Sequence, residues 1–170
     1  MRLDGSDWRE FFDRYQRSAW RLELRSFYTM PQEQESFQRF ASGERLPADY
    51  WSGWMARVSA FAESGRTIGR VHVLRRPLSE YLRFQFDYYS HHVRAGEDIR
   101  ILDLTDRGAP ELPEHDFWFF DDEHVVELRY REDGTQIGRF LLEEPDLDKF
   151  RKYRDNALEG AIPFMEYWQG

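Results

Sequence analysis

The sequence predicts an α+β fold: a single domain over residues 1–170, with a mixed sheet of about six strands, one parallel β-α-β unit, then an antiparallel meander, and helices packed on the sheet. Three observations carry this. Arg70-Val71-His72-Val73-Leu74 and Ile99-Arg100-Ile101-Leu102 are short apolar strands separated by a segment of helix length, which implies a parallel pair joined by a right-handed crossover. Between Phe117 and Leu142, strand-like runs are broken by Asp121-Asp122 and Asp133-Gly134, the residues of tight turns. At 170 residues, 41% of them hydrophobic and 33% charged, the chain suits one domain with a proper core.

The elements follow in order. Ser6 or Asp7 caps a first helix, in which Trp8, Phe11, Phe12 and Tyr15 fall at i, i+3, i+4 and i+7. Trp20 to Arg25 alternates apolar and polar residues, a half-buried strand with Trp20, Leu22 and Leu24 inward. Pro31 breaks the chain. A short helix from about Glu33 to Ala41 carries Phe37 and Phe40 on one side, with Gly43 as its stop. Asp49 opens another helix, with Trp51, Trp54, Met55, Val58 and Phe61 on one face; aromatics at this spacing are core.

After the first strand of the parallel pair, Pro77 starts a helix that runs to about Arg94 and stops at Ala95-Gly96. Thr105 to Glu114, with Gly108, Pro110 and Pro113, is a surface loop. Phe117 to Phe120 is a buried strand. His124 to Tyr130 is a strand with Val126, Leu128 and Tyr130 inward, and Gln136 to Leu142 returns antiparallel to it. Pro145 starts a last helix and Pro163 ends it. The aromatic tail of Phe164, Tyr167 and Trp168 packs back on the body, because so much apolar surface is costly to expose.

Composition removes whole classes of function. Without cysteine there is no disulfide, no thiolate nucleophile and no cysteine-ligated metal. The N-terminus has no apolar signal core, and no run approaches the roughly 18 apolar residues of a membrane helix, so a cytoplasmic protein with no membrane association is expected. The net charge of −8 argues against direct nucleic-acid binding through phosphate contacts. Between Pro110 and Asp148 thirteen acids face three arginines, so one edge is strongly negative: a solvated face, or a dock for a basic partner.

Several stretches point to a family. Arg70-Val71-His72-Val73-Leu74, Pro77-Leu78-Ser79-Glu80-Tyr81-Leu82-Arg83, Ala95-Gly96-Glu97-Asp98-Ile99-Arg100 and Leu112 to Asp121 resemble a family of uncharacterised proteins from Streptomyces and other actinobacteria. Trp20-Arg21-Leu22-Glu23 and the Gly134…Gly138 hairpin fit as well, so the resemblance covers nearly the whole chain. The family has no known function, and its genes often stand beside helix-turn-helix regulators. The resemblance implies a regulatory or signalling context and a helix-turn-helix regulator as partner. It brings no catalytic residues.

The residues themselves carry few chemical motifs. Asp121-Asp122-Glu123-His124 gathers four metal-ligand types, but neighbours on a strand point to opposite faces, and a two-acid step between strands is ordinary turn chemistry. His91-His92 has no second histidine one turn away. No metal site and no cofactor follow. There is no Gly-x-Ser-x-Gly, no phosphate-cradling glycine loop, and no histidine followed two residues on by lysine.

One group remains. Ligands of parallel β-α units bind beyond the carboxyl ends of the strands. Arg75, Arg76 and Tyr81 lie there by sequence, with Arg83 close by, and Asp116, Trp118 and Asp121 can reach it from the next strand. Such a polar and aromatic pocket would take a small anion, a nucleotide or a partner's side chain; the alternative is a structural Arg–Asp pair. The expected function is therefore a non-enzymatic binding module for a partner protein or small effector. Two alternatives stand beside it: a hydrolase or nucleotide-processing enzyme using His115, Asp116 and Asp121, and a structural homodimer subunit.

Overall fold

The structure, a computed structural model, describes residues 1–169. In chain order its elements are helix α1 (Gly5–Asp13), strand β1 (Ser18–Glu23), helices α2 (Gln34–Ala41) and α3 (Gly53–Glu63), β2 (Thr67–Leu74), α4 (Glu80–Ala95), β3 (Asp98–Asp103), β4 (Asp116–Phe120), β5 (His124–Tyr130), β6 (Gln136–Leu141), α5 (Leu147–Glu159), β7 (Ile162–Pro163) and the single turn α6 (Phe164–Tyr167). The fold is α+β, with one mixed sheet in the order β6-β5-β4-β1-β2-β3-β7. β1, β2 and β3 run parallel; every other pair is antiparallel.

The β2-α4-β3 unit and the β4-β5-β6 meander stand where the spacing puts them. The sheet has two more features. β1 lies parallel to β2, so α2 and α3 form a second crossover, and β1 becomes the central strand between the two halves. Pro163 does not end α5, which stops at Glu159; it sits in β7, the two-residue seventh strand on the edge of β3. The opposite edge is partly covered by the N-terminus: Leu3 donates its N–H to the Arg139 carbonyl, and the Leu141 N–H bonds the Met1 carbonyl. A covered edge is protected from pairing with another chain.

Both faces of the sheet are buried, as a parallel core requires. On one face Leu22, Val71, Val73, Leu102, Phe117 and Val125 pack against Phe150, Tyr153 and Ala157 of α5. On the other, α1 and α3 bring Phe12, Met55, Val58 and Phe61, with Tyr15 from the turn after α1, against Ala19, Ile68, Trp118 and Phe120. Farther along that face, Leu82, Phe86 and Tyr89 of α4 cover Leu74, Ile99 and Ile101, with Phe164 of the C-terminal tail tucked in beside them.

Three local expectations are corrected. The residue preceding α1 is Asp4, not Ser6 or Asp7, and it makes no side-chain cap. α3 is capped by Ser52, whose Oγ accepts the Met55 N–H, so Trp51 falls outside the helix and is 56% exposed. Likewise Ser79, not Pro77, sets the start of α4, because its hydroxyl accepts the Leu82 N–H. α4 ends as its sequence indicates, at Gly96, whose φ of 121° suits glycine.

β2 and β3 approach closely at Gly69. A Cβ there would lie 2.8 Å from the Asp98 carbonyl oxygen, a backbone atom that cannot swing away. Gly69→Ala is expected to lower stability by about 1–3 kcal/mol by forcing the two strands apart. A urea midpoint equal to wild type would show that the strands accommodate it.

Candidate functional site

Between the central strands and helices α1 to α4 lies a cavity of about 530 Å³. Its floor is the helix-facing side of β1, β2, β4 and β5. Its walls come from Trp8 on α1, Trp54 on α3, Tyr81 and Tyr88 on α4, the segment from Tyr28 to Ser36, and Arg139 on β6. The floor is set by register. Arg21 pairs in the sheet with Arg70 on one side and Trp118 on the other, and Glu23 pairs with His72. Alternate residues share a face, so Arg21, Glu23, Arg70, His72 and Trp118 all point at the helices.

These charges form a closed cluster. Arg70 makes a two-point contact with Glu97, through Nε to Oε2 and through Nη2 to Oε1 at 3.1 Å, and its Nη1 reaches Glu23 at 3.3 Å. Trp54 Nε1 also donates to Glu97, at 3.0 Å. Glu23 accepts the Tyr89 hydroxyl at 2.9 Å and lies 3.3 Å from Arg21 Nη2. The Tyr89 oxygen sits 2.8 Å from His72 Nδ1, and His72 Nε2 lies 2.8 Å from the Arg25 carbonyl. Glu23 and Glu97 are 4% and 2% exposed, and His72 is wholly buried. Burial pushes the Glu23 carboxyl up, but Arg21, His72, Arg70 and the Tyr89 hydroxyl outweigh it and hold the group well below the ordinary carboxylate range.

Asp116 enters from the start of β4. Its Oδ2 accepts the Tyr28 hydroxyl at 2.5 Å, its Oδ1 accepts the Leu24 N–H at 2.9 Å, and Arg21 Nη2 lies 3.9 Å away. Burial raises its carboxyl above the ordinary value, against the pull of Arg21 and Tyr28. On the opposite wall Tyr81 donates to Glu33 at 2.7 Å, and burial pushes the Glu33 carboxyl up. Burial lowers His92 to about 4, which leaves it neutral at pH 7.

The seven residues expected at the site divide. Tyr81 and Trp118 line the cavity, and Asp116 sits behind Tyr28 on the same sheet face. Arg75 and Arg76 are anchored at the far end of β2 and β3, Arg75 to the Leu104 carbonyl and Arg76 to Asp103 and Asp106. Arg83 is exposed on the outer side of α4. Asp121 lies past the other end of β4, where its carboxylate accepts the N–H groups of Gln16, Arg17 and Ser18. The length of β4, about 17 Å at the usual rise, separates it from Asp116. His115 precedes β4 in a bend, and among the described residues its side chain makes no hydrogen bond or ion pair with Asp116 or Asp121.

Arg21, Glu23, Arg70, His72, Tyr89, Glu97 and Arg139 are not among those seven. A signal existed for Arg70 and His72, spaced by two on a strand that the expected parallel pair buries on both faces; Arg21 and Glu23 join them only through the β1–β2 pairing.

Among the described residues no group of three His, Asp or Glu side chains is placed to hold a metal ion, and no helix is long and apolar enough to cross a membrane. No curated protein matches the chain. A family model does match: the one for DUF6879, a domain of unknown function, aligns with residues 6–169, and the chain belongs to that family.

Proposed function

We propose that the protein is a non-enzymatic binding module that holds a small organic effector in the cavity over β1 and acts with a helix-turn-helix transcription regulator in an actinobacterial cytoplasm. The cavity carries the first half of this reading. Its volume of about 530 Å³ falls in the usual range for small-molecule sites, and its aromatic walls with a few convergent polar groups are typical of them. The regulator and the cellular setting rest on the family resemblance.

The acids and bases nearby favour binding over catalysis. Glu23, Glu97 and Asp116 are each committed to donors of the protein itself. A fixed polar floor of this kind orients a ligand without exchanging protons with it.

The test is native mass spectrometry of protein purified from its host. The expected result is a bound small molecule in the wild type, its loss in Ser36→Trp, which fills the cavity from α2, and co-purification of the regulator. A wild-type protein of bare chain mass, with a melting temperature unmoved by a small-molecule extract of the host, would reject the reading. Light scattering separates the homodimer alternative: a mass of 20.7 kDa at all concentrations excludes it.

A further inference from the structure

On the footing that the cavity is a ligand site, we infer that it takes a flat organic anion, with the acidic group between Arg21 and Arg139 and the ring against the neighbouring indoles. The argument begins with the charges that are already matched. Of the four arginines on the cavity lining, Arg70 is saturated by Glu97 and Glu23, and Arg57 is held by Asp13 at 2.7 Å. The two lining carboxylates are also engaged, Glu23 by Tyr89 and Arg70, Glu33 by the Tyr81 hydroxyl.

Arg21 and Arg139 are different. Arg139 is half-buried, yet among the described residues its guanidinium has neither a hydrogen bond nor a carboxylate partner; it lies over the Trp8 ring, 5.3 Å from its centre. Arg21 reaches Glu23 at 3.3 Å, the Tyr130 hydroxyl at 3.4 Å and Asp116 at 3.9 Å, all long contacts, and its Nε is enclosed with no partner. A guanidinium carries five donors, and a desolvated one without an acceptor is costly. Burial is the largest influence on Arg139 and pushes it down, as does the Arg21 charge, by more than the Tyr130 hydroxyl and the Asp4 carboxylate push it up.

The charge missing at Arg139 is thus negative, and a carboxylate or phosphate accepts two parallel bonds from such a fork. The ring follows from the walls. Arg21 lies 5.8 Å from the Trp118 ring centre, so both cations stand beside indoles, and Tyr130 of β5 lines the same cavity. Flat surfaces of this kind favour a flat ligand. A cationic ligand would meet Arg139, which has no carboxylate partner among the described residues, and carboxylates already in use.

Calorimetric titration with naphthalene-2-carboxylate and its neutral analogue naphthalene-2-carboxamide tests this, on the wild type, Arg139→Gln and Ser36→Trp. Because Arg139 has no hydrogen-bond or carboxylate partner to lose, only its contact with the Trp8 ring, the glutamine variant should keep its fold, which circular dichroism checks. The acid is expected to bind the wild type about tenfold or more tighter than the amide, and Arg139→Gln to remove that difference, as loss of a charge-assisted pair does. Equal binding of acid and amide, both abolished by Ser36→Trp, would overturn the anion assignment and leave the cavity reading intact. Binding unaffected by Ser36→Trp would place the probe elsewhere and count against both. Failure of both probes at millimolar concentration would overturn the anion assignment alone, since the mass-spectrometric test judges the cavity separately.

Discussion

Replacing Arg70 with methionine is expected to lower the unfolding free energy by about 3–5 kcal/mol, read from urea denaturation with an unchanged slope. The size follows from what is left behind. Methionine fills much of the arginine's volume, so little packing is lost, but Glu97 loses its two-point partner and Glu23 loses one of its cations. Both carboxylates are buried too deeply for water to replace the guanidinium. An uncompensated buried charge is far more costly than an absent ion pair. The double variant Arg70→Met/Glu97→Gln should therefore regain a large part of the loss, since it removes the stranded charge and keeps an acceptor for Trp54 Nε1. A loss below about 1 kcal/mol in the single variant, the scale of a surface pair, would mean that the cluster is solvated.

The same experiment has a pH dependence with a definite sign. The folded-state pKa of Glu23 is depressed from its ordinary value of 4.5, so its contribution to stability is fully present above that value and is lost as pH falls below it. Asp116 works in the opposite sense. Burial raises its carboxyl above the ordinary 3.8, so its share is present below that value and is lost as pH rises through the raised folded pKa. The acid limb of the wild-type curve should accordingly be steeper than that of Arg70→Met, in which Glu23 has lost a cation that holds it ionised.

The spacing of apolar residues made the β-α-β unit, the hairpins and the aromatic tail legible, because each rests on a local rule: a helix-length crossover, an Asp-Gly turn, a need to bury rings. The charged cluster was hidden by a rule applied too locally. Trp20, Leu22 and Leu24 alternate with Arg21 and Glu23, the usual mark of a strand with one wet face. Pairing decides otherwise. β1 sits between β2 and β4 in mid-sheet, helices cover both sides, and the polar residues of the alternation are enclosed with those of β2. Nothing local to residues 18–23 announces a parallel partner that begins at Thr67. Arg75 and Arg76 show the converse: they do stand beyond the carboxyl end of β2, but Leu104, Asp103 and Asp106 meet them there, and the open volume lies over the middle of the strands. Tyr81 was within reach of sequence reasoning because an aromatic beside a strand end suits a pocket wherever along the strands it opens, and Trp118 because it sits on the next strand, in the middle of β4.

Trp118 separates the cavity from the core, and its truncation should show which of them depends on it more. The ring is 4% exposed, stacks on Phe120 at 5.8 Å with 17° between planes, meets Phe12 edge-on at 4.8 Å, and turns its other side toward Arg21. Trp118→Ala is expected to cost about 3–5 kcal/mol in a urea titration, the usual figure for deleting a buried indole. The helix layer above is held by several other rings around Phe12, including Trp8, Trp54 and Phe61, so it will not collapse into the space, and the cavity will enlarge toward Phe12. Trp118→Phe keeps a ring on Phe12 and should recover most of the stability. If ligand binding is weakened alike in Trp118→Ala and Trp118→Phe while stability differs between them, the indole is a contact surface for the ligand as well as a core residue. A stability loss under about 1 kcal/mol for Trp118→Ala would contradict the packing described, because no core aromatic with these neighbours is removed so cheaply.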